Sequence, residues 1–326
     1  MRHIWPFALF ASIAGCAVDP DPAQDVDEPP AAQDDGGTST TTTTAYGCDI
    51  DAVFKTDVHR LASGGRLDLE IHDGGWLAKP RTVTSSAPGI LAVAQTAAGA
   101  ILTGVAPGTA DIVVSRCGQP VASYPVTVAK VADVDIRLSY GPAGRSERLS
   151  ALAALPGSFD QLELTYYDDQ HVALAGQGAA RLAFEGGVHR AGAFSLWILD
   201  GRDRLPRETV PIAFEGAGRL IATAGELQVA IDVTLTQAPD QLALAVVEQS
   251  ILDLPVHAAV ATGKTSTGLP VAGLAPAFTI TQEAAFSRFA TNPASSQLYL
   301  LGTAHGEVTF TAEVAGMTAT RTVTFP

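Results

Sequence analysis

Three cysteines are the residues of this sequence with the clearest chemistry: Cys16, Cys48 and Cys117. A thiol can accept a lipid, close a disulfide or act as a nucleophile, and its context in the sequence decides among these roles. Cys16 stands at the end of the small-residue run Ile13-Ala14-Gly15, shortly after an apolar stretch. An odd number of cysteines also leaves one thiol outside any intrachain bridge.

The first residues resemble the signal of a bacterial lipoprotein. Arg2 precedes an apolar stretch, residues 4–11, which is shorter than the ~20 residues that a membrane-spanning helix needs. Ile13-Ala14-Gly15-Cys16 is similar to the lipobox, in which an aliphatic residue and two small ones precede the lipidated cysteine. The resemblance implies a signal peptide over residues 1–15 and lipid attachment at Cys16. The alternative is an ordinary signal peptide whose cysteine is discarded.

The same resemblance implies a location and a partner. Many lipoproteins of Gram-negative bacteria stay in the inner membrane when Asp follows the lipidated cysteine, whereas Ala17 follows it here. We therefore expect the chain to be lipid-anchored in the cell envelope, at the outer membrane, with the membrane as its partner through Cys16. Two or three acyl chains hold a protein stably, because each buried CH₂ contributes about 0.8 kcal/mol.

The segment 16–46 is predicted to be a disordered tether. It is rich in proline and ends in a threonine run, TSTTTTT, and it has almost no apolar side chain to bury. The threonines are either a solubilising linker or carriers of O-glycans. Half of the net charge of −14 comes from the carboxylates of this tether, which are Asp19, Asp21, Asp25, Asp27, Glu28, Asp34 and Asp35.

The net charge excludes two classes of partner. Nucleic-acid binding needs a basic footprint that neutralises phosphates, and a chain with a net charge of −14 lacks it. Electrostatic binding to anionic lipid likewise needs clustered lysine and arginine to neutralise the lipid headgroups. We therefore expect no nucleic-acid partner and no membrane contact other than the lipid anchor.

The remaining motifs do not form an active site. Gly263-Lys264-Thr265 is similar to the end of a phosphate-binding loop, but Ala258 stands where that loop requires its first glycine. No serine lies in a Gly-x-Ser-x-Gly elbow. The histidines after the signal lack metal-ligand spacing; they are His59, His72, His171, His189, His257 and His305. We therefore predict a protein that is not an enzyme, with no catalytic residue, no metal and no cofactor.

Two binding alternatives stay open. Asp133 and Asp135 lie at a predicted domain joint, and Asp168-Asp169 lie in a predicted turn, so that either pair offers carboxylates to calcium. Solvated turns are the competing interpretation. Trp76 and Trp197 are able to stack on sugars if they lie on one exposed sheet face, or else they are core or edge aromatics.

The hydrophobic pattern after Tyr46 has period two, which predicts strands with one buried face. Examples are Arg66-Leu67-Asp68-Leu69-Glu70-Ile71 and Glu226-Leu227-Gln228-Val229-Ala230-Ile231. Glycine, proline and Asp-Gly pairs separate these runs. The sequence therefore predicts an all-β class, built from antiparallel β-sandwiches.

An internal repeat refines this prediction. Residues 102–114 read LTGVAPGTADIVV, and residues 300–312 read LLGTAHGEVTFTA. The copies share two glycine positions, Gly104 with Gly302 and Gly108 with Gly306. We expect these four glycines to serve tight turns or positive φ. A weaker echo, Ala224-Gly225-Glu226, lies between the copies.

The repeated frame resembles the bacterial Ig-like domain, group 2. The resemblance is strongest over residues 82–128, although Val83 stands where family members usually have tryptophan. It implies tandem Ig-like antiparallel β-sandwiches after the signal peptide and tether. The expected domains are 47–131 and 241–326, both similar to group 2, with a divergent unit at 132–240 that is Ig-like or another β-sandwich.

The Ig-like resemblance also implies a disulfide. In that topology the first and sixth strands approach the same end of the sandwich, so Cys48 and Cys117 are expected to lie close together. Such a bridge is worth about 4 kcal/mol in the chain-entropy model. Two free cysteines are the alternative.

The expected function follows from these observations. We predict a non-enzymatic, lipid-anchored envelope protein whose sandwiches act as surface-presenting, adhesive or spacer modules. A glycan-binding module at the cell surface is the alternative, and its protein or glycan ligand is not specified by the sequence.

Overall fold

The computed structural model describes residues 53–54, 59–72, 81–96, 99–116, 118–140, 143–191, 208–251, 254–289, 296–302 and 304–326. Residues 1–46, and with them the signal peptide and tether, lie outside this set. The regular elements in the described part are strands, with a short 3₁₀ turn at Glu283–Ala285, so the predicted all-β class is confirmed. No helix among the described residues is long and apolar enough to cross a bilayer.

The first segment forms a two-sheet sandwich. Its strands are β1 (Val53–Phe54), β2 (Arg60–Ala62), β3 (Arg66–His72), β4 (Arg81–Ser85), β5 (Leu91–Gln95), β6 (Gly99–Gly104), β7 (Gly108–Arg116) and β8 (Gln119–Ala129). One sheet has the order β1-β3-β6-β5 and the other β2-β8-β7-β4. This is the strand order of an Ig sandwich, in which β2 is an extra edge strand that runs parallel to β8.

Alternating residues of both sheets fill the core of this sandwich. Leu61, Leu91 and Leu102 are among its fully buried members. Val83, where tryptophan is usual in the family that the sequence resembles, is buried in the same core. The period-two alternation of the sequence places these side chains on the inner faces.

The middle segment is a larger β structure. Its strands are β9 (Asp133–Leu138), β10 (Ala151–Ala154), β11 (Ser158–Tyr167), β12 (Ala173–Leu174), β13 (Arg181–Arg190), β14 (Glu208–Ala224) and β15 (Leu227–Leu235). Strand β11 pairs with β9, β12 and β14, and β10 runs parallel to β15. The core includes the largest fully buried side chains of the segment, Tyr166 and Phe214.

The long strand β14 changes partners along its length, and glycines allow close backbone approach between it and β13. The first part of β14 pairs with β11 and the last part with β15, while β13 follows β14 across both parts. The register shifts between Gly186 and Val188. A Cβ on Gly187 would collide with the backbone of Gly216, and one on Gly218 with the carbonyl oxygen of Glu185. Glycine is therefore required here by close approach.

The third segment repeats the strand order of the first. Its strands are β16 (Gln241–Ile251), β17 (Leu254–Lys264), β18 (Pro270–Ala272), β19 (Ala277–Ile280), β20 (Phe286–Phe289), β21 (Gln297–Gly302), β22 (Gly306–Val314) and β23 (Met317–Phe325). The order β16-β17-β21-β20 corresponds to β1-β3-β6-β5, and β19-β22-β23 corresponds to β4-β7-β8. Phe310 and Phe325 pack in the core between these sheets.

Strand pairing joins the middle and third segments. Strand β10 pairs with β18, which pairs with β17, so that one sheet of 12 strands contains strands of both segments. The sheets are mainly antiparallel, and the three parallel pairs among the described strands are β2 with β8, β10 with β15, and β10 with β18. The domain boundaries near residues 131 and 240 stay a prediction.

Candidate functional site: the two joints

The cysteines and tryptophans singled out by the sequence lie outside the described residues. Cys16, Cys48 and Cys117 belong to this group, as do Trp76 and Trp197. Lipid attachment at Cys16 and the Cys48–Cys117 disulfide therefore stay predictions. The aromatic strip that would favour glycan binding is also not seen in the described part, where the exposed large apolar side chains are Val105, Val172 and Leu235.

The four repeat glycines occupy equivalent places in the first and third sandwiches. Gly108 begins β7 with φ of +149°, and Gly306 begins β22 with φ of +79°. Gly104 and Gly302 end β6 and β21, where the constraint is close approach. A Cβ on Gly104 would collide with the carbonyl oxygen of Ala62, and one on Gly302 with that of Ala285.

An ion pair marks the joint between the first and middle segments. Arg60 on β2 places its Nη2 atom 2.5 Å from Oδ2 of Asp168, whose side chain is only 2% exposed. The other carboxylate oxygen of Asp168 accepts hydrogen bonds from the amides of Gln170 and Val172, at 3.0 and 2.8 Å. Asp168 thus closes its own turn and simultaneously holds the neighbouring segment.

Backbone hydrogen bonds reinforce this joint. The amide of Ala62 donates to the carbonyl of Ala175 at 2.8 Å, and the amide of Ala175 donates to the carbonyl of Arg60 at 3.0 Å. Arg66 and Gln177 exchange two further bonds, of 2.9 and 2.7 Å. These contacts attach β2 and the first residue of β3 to the middle segment through two isolated β-bridges.

The cores on either side of this joint also interlock. Ala175 of the middle segment belongs to the core of the first sandwich, and Ala62 belongs to the middle core. A Cβ on Gly176 would lie 3.1 Å from both the Cα of Gly65 and Cδ1 of Leu61. The absence of a side chain at Gly176 therefore lets the two segments meet without a gap.

Two of the carboxylates that the sequence suggested as calcium ligands, those of Asp133 and Asp135, form ion pairs with arginines. Arg148 donates two hydrogen bonds to Asp133, at 2.6 and 2.7 Å, and this contact lowers the pKa of the Asp133 carboxyl. Arg137 contacts Oδ2 of Asp135 at 2.7 Å through both Nε and Nη2. No group of three or more His, Cys, Asp or Glu suited to a metal ion occurs in the described part of the chain.

The joint between the middle and third segments combines strand pairing with a partly buried carboxylate. Ala153 and Ala154 of β10 pair with Val271 and Ala272 of β18. Asp160 then accepts a hydrogen bond from the amide of Gly273 at 2.8 Å. A small apolar cluster closes the joint; its buried members are Ala153, Val271, Leu274 and Val314.

Two titratable groups near this second joint have perturbed pKa values. Burial raises the pKa of Asp160 to about 6, although the hydrogen bonds from the amides of Gly273 and Gln161 act in the opposite direction. Burial and the charge of Asp160 raise the pKa of Tyr140 to about 12. Because the folded pKa of Asp160 exceeds its ordinary value of 3.8, its contribution to stability is complete below about pH 4 and is lost as the pH rises through about 6.

Other sequence motifs have structural roles in the fold. Gly263 and Lys264 lie in β17 and pair with β16 and β18, which is a strand environment and not a phosphate-binding loop. His171 has φ of +58° and stacks on Tyr167, with ring centroids 4.3 Å apart. His257 is buried against Phe325 in an edge-to-face contact of 4.7 Å.

The sequence alone does not identify the joint residues. Arg60, Asp160 and Gly273 gave no signal, because their partners lie more than a hundred residues away in the chain. Asp168 was noticed only as a possible calcium ligand. A partial signal existed in the turn chemistry of Asp168-Asp169, which is typical of an aspartate that bonds to the amides after it.

Comparisons with known proteins match solved structures only, at low identity and low TM-score. No protein-family model matches the sequence, and no curated protein sequence matches it. Domains 4–9 of surface layer protein SbsC align with 16% identity over 84% of this chain and 46% of that chain, with a TM-score of 0.35. This chain therefore spans about half the length of that structure.

Two other structures are similar at the same level. The adhesin FdeC of Escherichia coli aligns with 15% identity over 80% of this chain and 91% of that chain, with a TM-score of 0.23. Invasin, a bacterial integrin-binding protein, aligns with 12% identity over 84% of this chain and 59% of that chain, with a TM-score of 0.22. At these TM-scores the similarity carries no functional conclusion.

Proposed function

We propose that this chain is a non-enzymatic, lipid-anchored envelope protein whose Ig-like sandwiches form a stiff spacer that presents a surface away from the membrane. The observation that carries the proposal is the construction of the two joints. Both are closed by backbone pairing and polar contacts, the first by isolated bridges such as that of Leu61 with Ala175 and the second by the pairing of β10 with β18. Neighbouring domains in one chain ordinarily move relative to each other unless their interface is extensive and well packed.

The anchor and tether complete this proposal from the sequence side. Ile13-Ala14-Gly15-Cys16 supplies the lipid attachment site, and the acidic segment after it separates the sandwiches from the membrane. As a flexible coil, residues 17–46 span roughly 30 Å, and in an extended form they approach about 90 Å. A stiff array on such a tether would stand clear of the membrane surface in the envelope, at the outer membrane.

The stiffness is tested by a distance measurement across both joints. Nitroxide labels carried by non-natural amino acids at the exposed positions Thr84 and Thr279 leave the native cysteines untouched. Double electron–electron resonance is expected to give one narrow distance distribution. Asp168→Ala is expected to broaden it, whereas Asp111→Ala, at an exposed strand position away from the joint, is the matched control. A broad distribution in the parent protein would refute the spacer role.

The anchor is tested separately by metabolic labelling. Cells that express Cys16→Ala and are given a labelled fatty acid should yield unlabelled protein that no longer fractionates with the outer membrane. Retention of the label in the variant would show that Cys16 is not the acceptor.

We further propose that Cys48 and Cys117 form a disulfide, for which the Ig-like strand order of the first sandwich is the support. Intact mass after alkylation without reduction distinguishes the two states. Alkylation of both thiols in the native protein would rule out the bridge.

A further inference from the structure

The first and third sandwiches differ at one edge. In the first, β2 runs parallel to β8, with Leu61 opposite Val128 and Ala62 opposite Ala129. In the third, β23 corresponds to β8 and pairs only with β22 among the described strands. The preceding strand, β16, pairs with β17 along its whole length, from Gln241 to Ile251, and it packs against β23 without forming a ladder with it.

Cross-strand register identifies the equivalent positions on the two edges. Gly108 is opposite Val128, and Gly306 is opposite Phe325, so Val128 and Phe325 are equivalent. By the same register Thr127 corresponds to Thr324. In the first sandwich the amide of Thr127 donates a hydrogen bond to the carbonyl of His59, just before β2, at 2.9 Å.

A cavity of about 390 Å³ lies at the corresponding place in the third sandwich. We name it the β23 groove, and its walls are formed by Val246, His257, Gly302, Ala304, Val323 and Phe325. Gly302 and Phe325 are the equivalents of Gly104 and Val128, which in the first sandwich lie against β2. The groove therefore lies beside Phe325 as Leu61 lies beside Val128 in the first sandwich, whereas the space beside Gly302 is filled by Ala285.

His257 gives the groove a polar group without a partner. It lies directly opposite Glu248 in the β16–β17 ladder, and it is 8% exposed. Its recorded contacts are with the rings of Phe286 and Phe325, and its imidazole makes no hydrogen bond among the described residues. The equivalent position in the first sandwich is the apolar Leu67, because Leu67 and His257 both lie opposite the same repeat position, Leu102 and Leu300.

We propose that the β23 groove binds an extended segment of a partner protein, which adds a strand parallel to β23 and inserts an aliphatic side chain beside Phe325. An exposed strand edge next to an apolar pocket is the arrangement that strand addition uses. Glu248 lies at the exposed rim, and the described lining contains no lysine or arginine. The segment therefore carries a basic residue beside its aliphatic one, which complements the charge of Glu248. The groove lies in the third segment, so its occupancy does not depend on the anchor or on the spacer role.

The probe for this site is a fluorescein-labelled peptide with the sequence of residues 58–64, VHRLASG. Fluorescence anisotropy with the purified full-length protein is expected to show saturable binding. Replacing the leucine of the peptide by aspartate should weaken binding about tenfold or more, because the buried aliphatic contact is lost. Replacing its arginine by glutamate should weaken binding about threefold to tenfold.

Two proline variants test the strand pairing itself. Thr324→Pro removes the amide that corresponds to the donor at Thr127, and it should weaken peptide binding about tenfold. Thr320→Pro removes an outward amide on the same edge, away from the groove, and should change the affinity by less than about twofold. Proline is tolerated on edge strands where the amide faces solvent, and circular dichroism of both variants checks that they fold.

Four outcomes would overturn the proposal. The first is that the peptide does not bind at about 1 mM. The second and third are that the peptide with aspartate in place of leucine, or the one with glutamate in place of arginine, binds as tightly as the parent peptide. The fourth is that Thr324→Pro and Thr320→Pro weaken peptide binding equally. Sedimentation velocity adds a fifth. Self-association of the parent protein that Thr324→Pro abolishes would show that a second copy fills the groove, and it would refute a different partner.

Discussion

The first and third sandwiches share a strand order and the spacing of their glycines, yet the same edge is covered by a strand in the first and lacks one in the third. In the first, β2 covers β8, supplies Leu61 to the core and reaches across to the middle segment through Arg60. In the third, the corresponding edge of β23 borders a groove lined by His257. The two sandwiches therefore share their internal ladder, while the edge strand forms a joint in the first and the same edge borders a groove in the third.

The largest expected effect comes from truncating the side chain that β2 contributes. Leu61 is fully buried, so Leu61→Ala should lower the free energy of unfolding by about 2–5 kcal/mol. Val323→Ala, at a half-buried position on the groove of the third sandwich, should cost clearly less. Denaturant titration measures both losses, and hydrogen–deuterium exchange assigns each to its sandwich. Equal losses would contradict the difference between the two edges.

The repeat glycines offer a second comparison. Gly108→Val and Gly306→Val both place a β-branched residue at positive φ, which costs about 1–3 kcal/mol. A Cβ at Gly108 would also lie 2.7 Å from Cδ1 of Ile90, whereas no atom lies within 4 Å of one at Gly306. We therefore expect the larger loss at Gly108, measured by thermal unfolding.

Ala106→Val is the control for these variants, since it adds bulk two residues earlier without a special φ. If both glycine variants melt like the parent, the shared frame is not a conformational constraint. If they melt equally early, backbone conformation alone determines the cost and the contact with Ile90 is irrelevant.

The joint residue Arg60 should have an intermediate effect. Arg60→Ala leaves the carboxylate of Asp168 buried without its cation, and because Arg60 is itself 34% exposed the expected loss is about 1–2 kcal/mol. Arg321→Ala removes an exposed arginine from β23 and should change stability by less than about 0.5 kcal/mol. Chemical denaturation at low and high salt checks both. If Arg60→Ala lowers the free energy of unfolding no more than Arg321→Ala does, the ion pair does not stabilise the joint.

The smallest expected effect concerns pH. Burial lowers the pKa of His257 below its ordinary value of 6.5, so its contribution to stability is present above that value and is lost as the pH falls through the lower folded pKa. Nearby Glu248 acts in the opposite direction on this pKa. His257→Leu restores the residue type of Leu67 and should flatten the fall in stability on acidification from about pH 7 to 5.

Comparison with the parent at each pH isolates this effect, because Asp160 titrates in both proteins and opposes it. An unchanged slope in His257→Leu would show that the imidazole does not titrate differently in the folded and unfolded states. The measurement is denaturant unfolding at a series of pH values.

The local sequence pattern predicts a residue's role correctly where that role depends on its neighbours in sequence. The alternation of Arg66-Leu67-Asp68-Leu69 predicts a strand with one buried face, and β3 has that form. The repeated Gly108 and Gly306 predict the turns before β7 and β22. Gly104 and Gly302 instead allow close approach to a carbonyl, that of Ala62 in β2 and that of Ala285 in the 3₁₀ turn before β20, and local pattern does not predict either contact.

The sequence by itself therefore determined the all-β class, the strands with clear alternation and the equivalence of the two copies, since side-chain periodicity and turn residues act over a few positions. Only the tertiary structure decided which edges are covered. In the first sandwich β2 pairs with the last strand, β8, whereas in the third β16 pairs with the strand that follows it, β17. Which of these pairings forms depends on contacts between strands that are distant in sequence. The ion pair of Arg60 with Asp168 and the open groove beside Phe325 follow from those pairings, because a strand's alternation fixes its faces but not its neighbours.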